Sequence, residues 1–136
     1  MSSTVNQEPT NGKLSLLEGV RVLVVEDAWH VAKALKSALE RLGMCVCGPA
    51  ATTDEARQLV AAQMPAIALV DVNLKREMAC DLIDDLHAQG VRIVVISGYA
   101  VPPVPAEKVA IVLQKPFSAN ELVAALQTVV GENRRH

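Results

Sequence analysis

Four apolar runs of the sequence end in polar side chains suited to phosphoryl chemistry. Glu26 and Asp27 follow VRVLVV, Asp71 follows AIALV, Ser97 follows VRIVVI and Lys115 follows AIVLQ. Clustered carboxylates repel one another unless a hard divalent cation, usually Mg²⁺, neutralises them. A carboxylate beside Mg²⁺ can attack a phosphoryl group in line, while a lysine ammonium and a hydroxyl stabilise the equatorial oxygens. The pattern therefore indicates Asp71 as a nucleophile that Ser97 and Lys115 assist.

Those runs belong to a repeating pattern of short apolar segments separated by stretches with helical spacing. The predicted strands are Val20–Val25, Met44–Cys47, Ala66–Val70, Val91–Ile96 and Ala110–Leu113. Short apolar strands joined by helices make right-handed crossovers into a parallel sheet that is covered on both faces. The predicted fold class is α/β, a doubly wound five-stranded parallel sheet with about five helices. Ligands of such sheets bind beyond the carboxyl ends of the strands, where the polar side chains lie.

Capping signals place two of the helices. Thr52 stands three residues before Glu55, and Ser118 stands three residues before Glu121, which is the capping-box spacing. We expect the last helix to end at Gly131.

The segment between the fourth and fifth strands differs from the others. Pro102, Pro103 and Pro105 remove backbone donors and restrict the backbone where a fourth helix is expected. That helix should be short, displaced or absent. On the preceding helix, near Ala79–Gln89, three aspartates face outward, and we interpret them as a solvated surface.

Length and composition favour one domain, because 136 residues leave no room for a second, output domain. We expect a flexible tail over residues 1–18, the domain over 19–131 and a short tail over 132–136.

Thirteen basic and fifteen acidic side chains provide no broad cationic surface for nucleic acid or an anionic bilayer. Cys45, Cys47 and Cys80 lack metal-ligand spacing, so reduced thiols are expected. Without a signal peptide or a long apolar run, the protein should be cytoplasmic.

The ordered set of strand-end residues resembles the receiver domains of bacterial response regulators. The matching strings are VLVVED, ALVDVNL, VVISGY and LQKPF, and the resemblance runs from about Val20 to Val130. It implies a flavodoxin-like strand order 2-1-3-4-5. It also implies that Asp71 is the phosphoacceptor, that Asp27 binds Mg²⁺ directly, that Glu26 acts through water, and that the backbone carbonyl of Asn73 is a further metal ligand.

By the same resemblance, the Ser97 hydroxyl and the Lys115 ammonium hold the acyl phosphate, and a cis peptide bond precedes Pro116. Two positions depart from the usual pattern. Val112 occupies the place of an aromatic residue that moves inward on phosphorylation, and Tyr99 follows Ser97 in an SGY motif. SGY is similar to the TGY motif of a subgroup of single-domain receivers without that aromatic, so Tyr99 is a candidate switch residue.

The resemblance implies a signalling module and not an enzyme. A histidine kinase or a histidine phosphotransfer protein would donate to Asp71, and an unknown downstream protein would recognise the phosphorylated monomer or a phosphorylation-linked dimer. The output is a protein contact or the removal of phosphate from a shared kinase.

Two other interpretations remain open on sequence grounds. A small Mg²⁺-dependent phosphohydrolase would use the same nucleophile, metal and lysine, although its usual DxD motif is matched only by Asp71-Val72-Asn73. A nucleotide- or flavin-binding domain is a weaker alternative, because the first strand leads to Glu26-Asp27 and not to a glycine-rich phosphate loop. Glu26 and Asp27 could also serve simply as a helix cap.

Overall fold

The computed structural model describes residues 16–72, 79–98 and 104–134, with side chains up to residue 131. Its five strands are β1 Arg21–Val25, β2 Cys45–Ala50, β3 Ile67–Asp71, β4 Arg92–Ser97 and β5 Ile111–Gln114. They form one parallel sheet in the order β2-β1-β3-β4-β5. The predicted doubly wound sheet and its strand order are confirmed.

In the described ranges, three α-helices and one 3₁₀ turn connect the strands, and a fourth α-helix follows β5. They are α1 Trp29–Arg41, α2 Thr53–Gln63, α3 Cys80–Ala88, the 3₁₀ turn Ala106–Lys108, and α4 Ala119–Arg134. The 3₁₀ turn is the one helical element described between β4 and β5, as the prolines predict. None of the helices in the described ranges has both the length and the apolar character that crossing a bilayer requires.

The core consists of two apolar clusters, one on each face of the sheet. The cluster on the α1 and α4 side includes Leu39 and Leu126, and the cluster on the α2 and α3 side includes Val60 and Leu86. Every residue of β3 is buried, because helices cover this central strand from both sides. The sheet therefore provides a rigid base for the residues that follow its strands.

The capping box predicted at Ser118 forms in full, and at Thr52 the Glu55 carboxylate accepts the N–H of Ala51, the residue before the cap, at 3.0 Å. The Thr52 hydroxyl accepts a hydrogen bond from the Glu55 N–H at 3.1 Å, and the Ser118 hydroxyl accepts one from the Glu121 N–H at 3.1 Å. The Glu121 carboxylate in turn accepts the Ser118 N–H at 2.9 Å. These bonds fix where α2 and α4 begin.

Both ends of the domain extend beyond the predicted boundaries. Leu17 was assigned to a tail ending at residue 18, but it is fully buried in the core on the α4 side. Helix α4 continues through Gly131 to Arg134, so Gly131 does not end it. A glycine costs a helix only about 1 kcal/mol relative to alanine, whereas the adjoining Val129 and Val130 are buried against the sheet.

Strand β2 is also longer than predicted and contains Gly48 and Pro49, which are joined by a cis peptide bond. Proline is tolerated because β2 is an edge strand, where a missing N–H breaks no ladder on the outer side. Gly48 has a φ of +92°, and a Cβ atom there would lie 2.8 Å from the backbone nitrogen of Ala50. Only glycine fits this bend.

Candidate functional site

Strand pairing brings two carboxyl groups together at the carboxyl edge of the sheet. Strands β1 and β3 are neighbours with Val25 opposite Val70, so Glu26 and Asp71 follow at equivalent positions. The backbone N–H of Glu26 donates to the Ala50 carbonyl at 2.9 Å, which fixes the chain as it leaves β1. Each of the two carboxyl residues is only 3% exposed. Two acids are therefore held side by side in a buried position.

Lys115 places a positive charge beside Asp71, one of these two acids. Its Nζ atom lies 3.0 Å from Asp71 Oδ2, and the lysine side chain remains 39% exposed while that of Asp71 is 4% exposed. The backbone N–H of Lys115 donates to the Ser97 carbonyl at 2.7 Å, so the end of β4 positions it. The lysine thus reaches from solvent to a buried carboxylate, where it can also meet an entering anion.

Serine 97 ends β4 beside the same edge. It is fully buried, and the register places it opposite Gln114, the residue before Lys115. Asp71 pairs with Ile96, the residue before Ser97. The register therefore brings the last residues of β3, β4 and β5 to one edge, as the sequence predicts.

The Glu26 carboxyl has an unusual environment. Its Oε2 atom accepts the Ala28 N–H at 3.1 Å, whereas Oε1 is buried without a hydrogen-bond donor. Burial, the largest cause, and the adjacent Asp71 carboxyl raise the pKa of Glu26 from 4.5 to about 7. The Asp71 carboxyl does so because it would share a hydrogen bond with protonated Glu26 and because it repels the charge of ionised Glu26. The Ala28 N–H and the charge of Lys115 oppose this rise. A buried acceptor without a donor calls for a proton or a cation.

Asp27 directly follows Glu26 where the chain leaves β1. It is half-buried and lines, with Glu26, a groove of about 510 Å³ that runs along α1. Within residues 16–72, 79–98 and 104–131, no three acidic, histidine or cysteine side chains lie together as a metal site. The predicted direct contact between Asp27 and Mg²⁺ thus stays a prediction. Ala28 occupies the N-cap position of α1, so neither Glu26 nor Asp27 is the N-cap residue of this helix.

The donor set nevertheless fits a hard divalent cation. Glu26 and Asp71 offer carboxylate oxygens, the ligand type that Mg²⁺ prefers. The buried Glu26 Oε1, which has no donor, is the specific observation in favour of a cation. Asn73, whose backbone carbonyl was predicted as a further ligand, and Tyr99, the candidate switch residue, lie outside the described residues.

The described residues include Pro116, before which a cis peptide bond is predicted, and Val112, which occupies the place of the usual aromatic. The peptide bond between Lys115 and Pro116 is cis, as predicted. Val112 is 38% exposed on β5, so this position buries no large side chain.

The sequence interpretation left Trp29, an aromatic residue that lines this groove, out of the site. Trp29 is 71% exposed at the start of α1, and the Lys33 ammonium lies 4.3 Å from its ring centroid. The i, i+4 spacing of an aromatic and a lysine on a predicted helix was the available signal for this cation–π contact. The pair borders Glu26 and Asp27 in the groove along α1.

Comparisons with known proteins agree with this geometry. The sequence pattern of the family described as response regulator receiver domain matches residues 22–127. No curated protein matches the chain in a sequence search.

Several solved structures share the fold. The response regulator PhyR from Brucella abortus superimposes with a TM-score of 0.78 at 23% identity, covering 94% of this chain and 54% of its own. The anti-anti-sigma factor PhyR from Bartonella quintana gives 0.79 at 20% identity, covering 95% and 55%. A CheY-like receiver domain from Methylobacillus flagellatus gives 0.74 at 23% identity, covering 82% and 99%.

The chain spans about half the length of the two PhyR proteins and nearly all of the isolated receiver domain. At these identities, the superpositions establish the fold alone. The family pattern covers residues 22–127, which include the acidic pair, Ser97 and Lys115, and the protein belongs to the response regulator receiver domain family.

Proposed function

We propose that this protein accepts a phosphoryl group on Asp71 and signals through the change that follows. The observation that carries the proposal is the buried Asp71 carboxylate, paired with Lys115 at 3.0 Å and adjacent to the Glu26 carboxyl. A structural ion pair alone would not need a second buried acid beside it. The arrangement suits a nucleophile that requires neighbouring positive charge.

In the proposed reaction, an Asp71 oxygen attacks the phosphorus of a phosphohistidine. The new O–P bond forms as the P–N bond breaks, and the electron pair of that bond stays on the imidazole nitrogen of the donor. Lys115 offsets negative charge on the equatorial oxygens, and the Ser97 hydroxyl donates a hydrogen bond to one of them. Mg²⁺ held by Asp27 and Asp71, with Glu26 acting through water, would supply further charge neutralisation.

The donor in this proposal is a histidine kinase or a histidine phosphotransfer protein, and the output is a contact with another protein or the withdrawal of phosphate from a shared kinase. The SGY motif and the valine at position 112 are the features that favour the predicted subgroup, in which an aromatic on the fifth strand is absent. In that subgroup the SGY motif, Ser97–Tyr99, would replace the missing aromatic.

Incubation with acetyl phosphate and Mg²⁺ tests the proposal. We expect one phosphoryl group per chain, detected by intact-mass spectrometry and removed by hydroxylamine, because acyl phosphates react with that nucleophile. Asp71→Asn should abolish labelling, since an amide cannot attack phosphorus. Chelation of Mg²⁺ should abolish it as well.

The matched control is Asp54→Asn, which changes an exposed aspartate of α2 and should leave labelling unchanged. Equal labelling of wild-type protein and Asp71→Asn would contradict the proposal. Steady release of inorganic phosphate from many phosphomonoesters would favour a phosphohydrolase instead.

A further inference from the structure

Two of the three cysteines lie on one face of the edge strand β2. Cys45 and Cys47 are two positions apart in this strand, so their side chains point to the same side of the sheet. Cys45 is exposed, whereas Cys47 is 1% exposed and belongs to the apolar cluster on the α2 and α3 side. An accessible thiol and a buried thiol therefore adjoin at the edge of the sheet.

A cationic side chain accompanies the two thiols. The regular register between β1 and β2 places Arg21 opposite Cys45 and Leu23 opposite Cys47, so the four residues share a face. Arg21 Nη1 donates to the carbonyl of Gln63, the last residue of α2, at 3.2 Å. Burial, the largest cause, raises the pKa of the Cys47 thiol, the Arg21 charge lowers it, and the Cys45 thiol raises it further. Both thiols and the guanidinium thus lie within electrostatic reach of one another.

Strand geometry suits a bridging metal ion better than a disulfide bond between Cys45 and Cys47. Residues two apart on a strand are separated by about 6.6 Å, twice the rise per residue. A disulfide needs Cβ atoms about 3.5–4.5 Å apart, which parallel side chains of one strand do not reach without movement of the backbone. Two metal–sulfur bonds in line span only about 4.6 Å. Sulfur atoms that lean toward each other by about 1 Å each, through rotation about χ1, provide that separation.

The number of donors selects the kind of metal ion. Structural Zn²⁺ takes four ligands in tetrahedral geometry, but in the part of the chain that the structure describes no three cysteine, histidine or acidic side chains lie together. Cu⁺ is a softer cation that thiolates select, and it accepts two thiolates in line. A complex of one monovalent cation with two thiolates carries one net negative charge, which the Arg21 guanidinium on the same face balances.

We propose that Cys45 and Cys47 together bind one Cu⁺ ion at the edge of β2. Each thiol releases its proton to solvent as its sulfur forms a bond to the metal, so binding of one ion releases two protons and needs no oxidant or reductant. The inference does not rest on the proposed function, because both cysteines lie in the first half of β2, whereas Glu26 and Asp71 lie at the carboxyl edge of the sheet. The cysteine spacing matches no zinc-binding pattern of the sequence, and only the strand brings the two thiols to one face.

Competition for Cu⁺ with the coloured chelator bicinchoninate, under anaerobic conditions, tests the inference. We expect the reduced full-length protein to withdraw one copper ion per chain, with two sulfur neighbours in the X-ray absorption spectrum. Cys45→Ser and Cys47→Ala keep the exposed position polar and the buried position apolar. Each should bind Cu⁺ about 100-fold more weakly or worse, because a second donor on the same scaffold raises affinity by that order. Circular dichroism establishes that both variants are folded.

Cys80→Ser is the matched control, because it removes the remaining cysteine, which lies on α3, and it should bind Cu⁺ as the wild-type protein does. Arg21→Gln should weaken binding about twofold to fivefold, the contribution of an exposed charge, while one copper ion is still bound. Affinity that survives in folded Cys45→Ser or Cys47→Ala, equal loss in Cys80→Ser, or a wild-type protein that withdraws no copper from the chelator would overturn the site.

Discussion

Replacement of Lys115 with methionine is expected to slow phosphorylation of Asp71 by acetyl phosphate about 100- to 1000-fold, the range found when one stabilising donor is removed from a reaction centre. The lysine ammonium lies 3.0 Å from Asp71 Oδ2 and is the positive charge that the structure places on this carboxylate. Methionine keeps an unbranched apolar stem of similar length, so the packing at the end of β5 should change little. The rate is measured by intact-mass spectrometry over time at fixed acetyl phosphate and Mg²⁺.

Two further variants separate the role of this lysine from a general loss of charge. Lys36→Met removes a lysine of α1 that lines the groove without an observed contact to Asp71, and it should leave the rate within about twofold of wild type. Lys115→Arg keeps the charge but not the compact ammonium, so its rate should be intermediate. Circular dichroism establishes that each variant is folded. A Lys115→Met rate close to that of wild type would remove the lysine from the proposed reaction.

Substitution of Glu26 by glutamine is expected to remove a pH dependence of stability. The pKa of Glu26 is raised from 4.5 to about 7 by burial and by the adjacent Asp71 carboxyl. Between these two values the folded protein binds more protons at Glu26 than the unfolded chain, so the free energy of unfolding falls as pH rises from 4.5 to 7. The decrease is about 3 kcal/mol, from the energy of one pKa unit multiplied by this rise.

Urea unfolding at pH 5 and pH 8, with Mg²⁺ chelated, measures this effect. The wild-type free energy of unfolding should decrease between the two pH values by about 3 kcal/mol more than that of Glu26→Gln. Glu40→Gln, which changes an exposed glutamate of α1, should follow the wild-type pH dependence. If the free energy of unfolding changed equally between pH 5 and pH 8 in Glu26→Gln and in wild type, Glu26 would not be buried beside a second acid. Added Mg²⁺ should stabilise the wild-type protein most at pH 8, above the raised pKa of Glu26.

The sheet and the central residue pair could be predicted because each depends on short-range patterns. Apolar runs identify parallel strands that are buried on both faces, and residues that follow adjacent strands must lie at one edge. The adjacency of Glu26 and Asp71 follows from the pairing of Val25 with Val70. The capping boxes are still more local, because donor and acceptor are three residues apart.

Other features depend on contacts that no local pattern encodes. The Asp84–Lys108 and Asp85–Arg57 ion pairs join residues 24 and 28 positions apart, so helical spacing predicts the solvated aspartates of α3 but not their cationic partners. Gly131 suggested a helix end, but burial of the neighbouring valines outweighs its low helix propensity.

Identification of the phosphorylated residue tests the central claim most directly. After incubation with acetyl phosphate and Mg²⁺, borohydride reduces an aspartyl phosphate to homoserine, which tandem mass spectrometry locates in the peptide that contains residue 71. We predict homoserine at position 71 and at no other aspartate, with none formed when Mg²⁺ is chelated. Homoserine at another aspartate, or a phosphoryl group that resists hydroxylamine and is retained on a histidine or serine, would contradict the assignment of Asp71 as the phosphoacceptor.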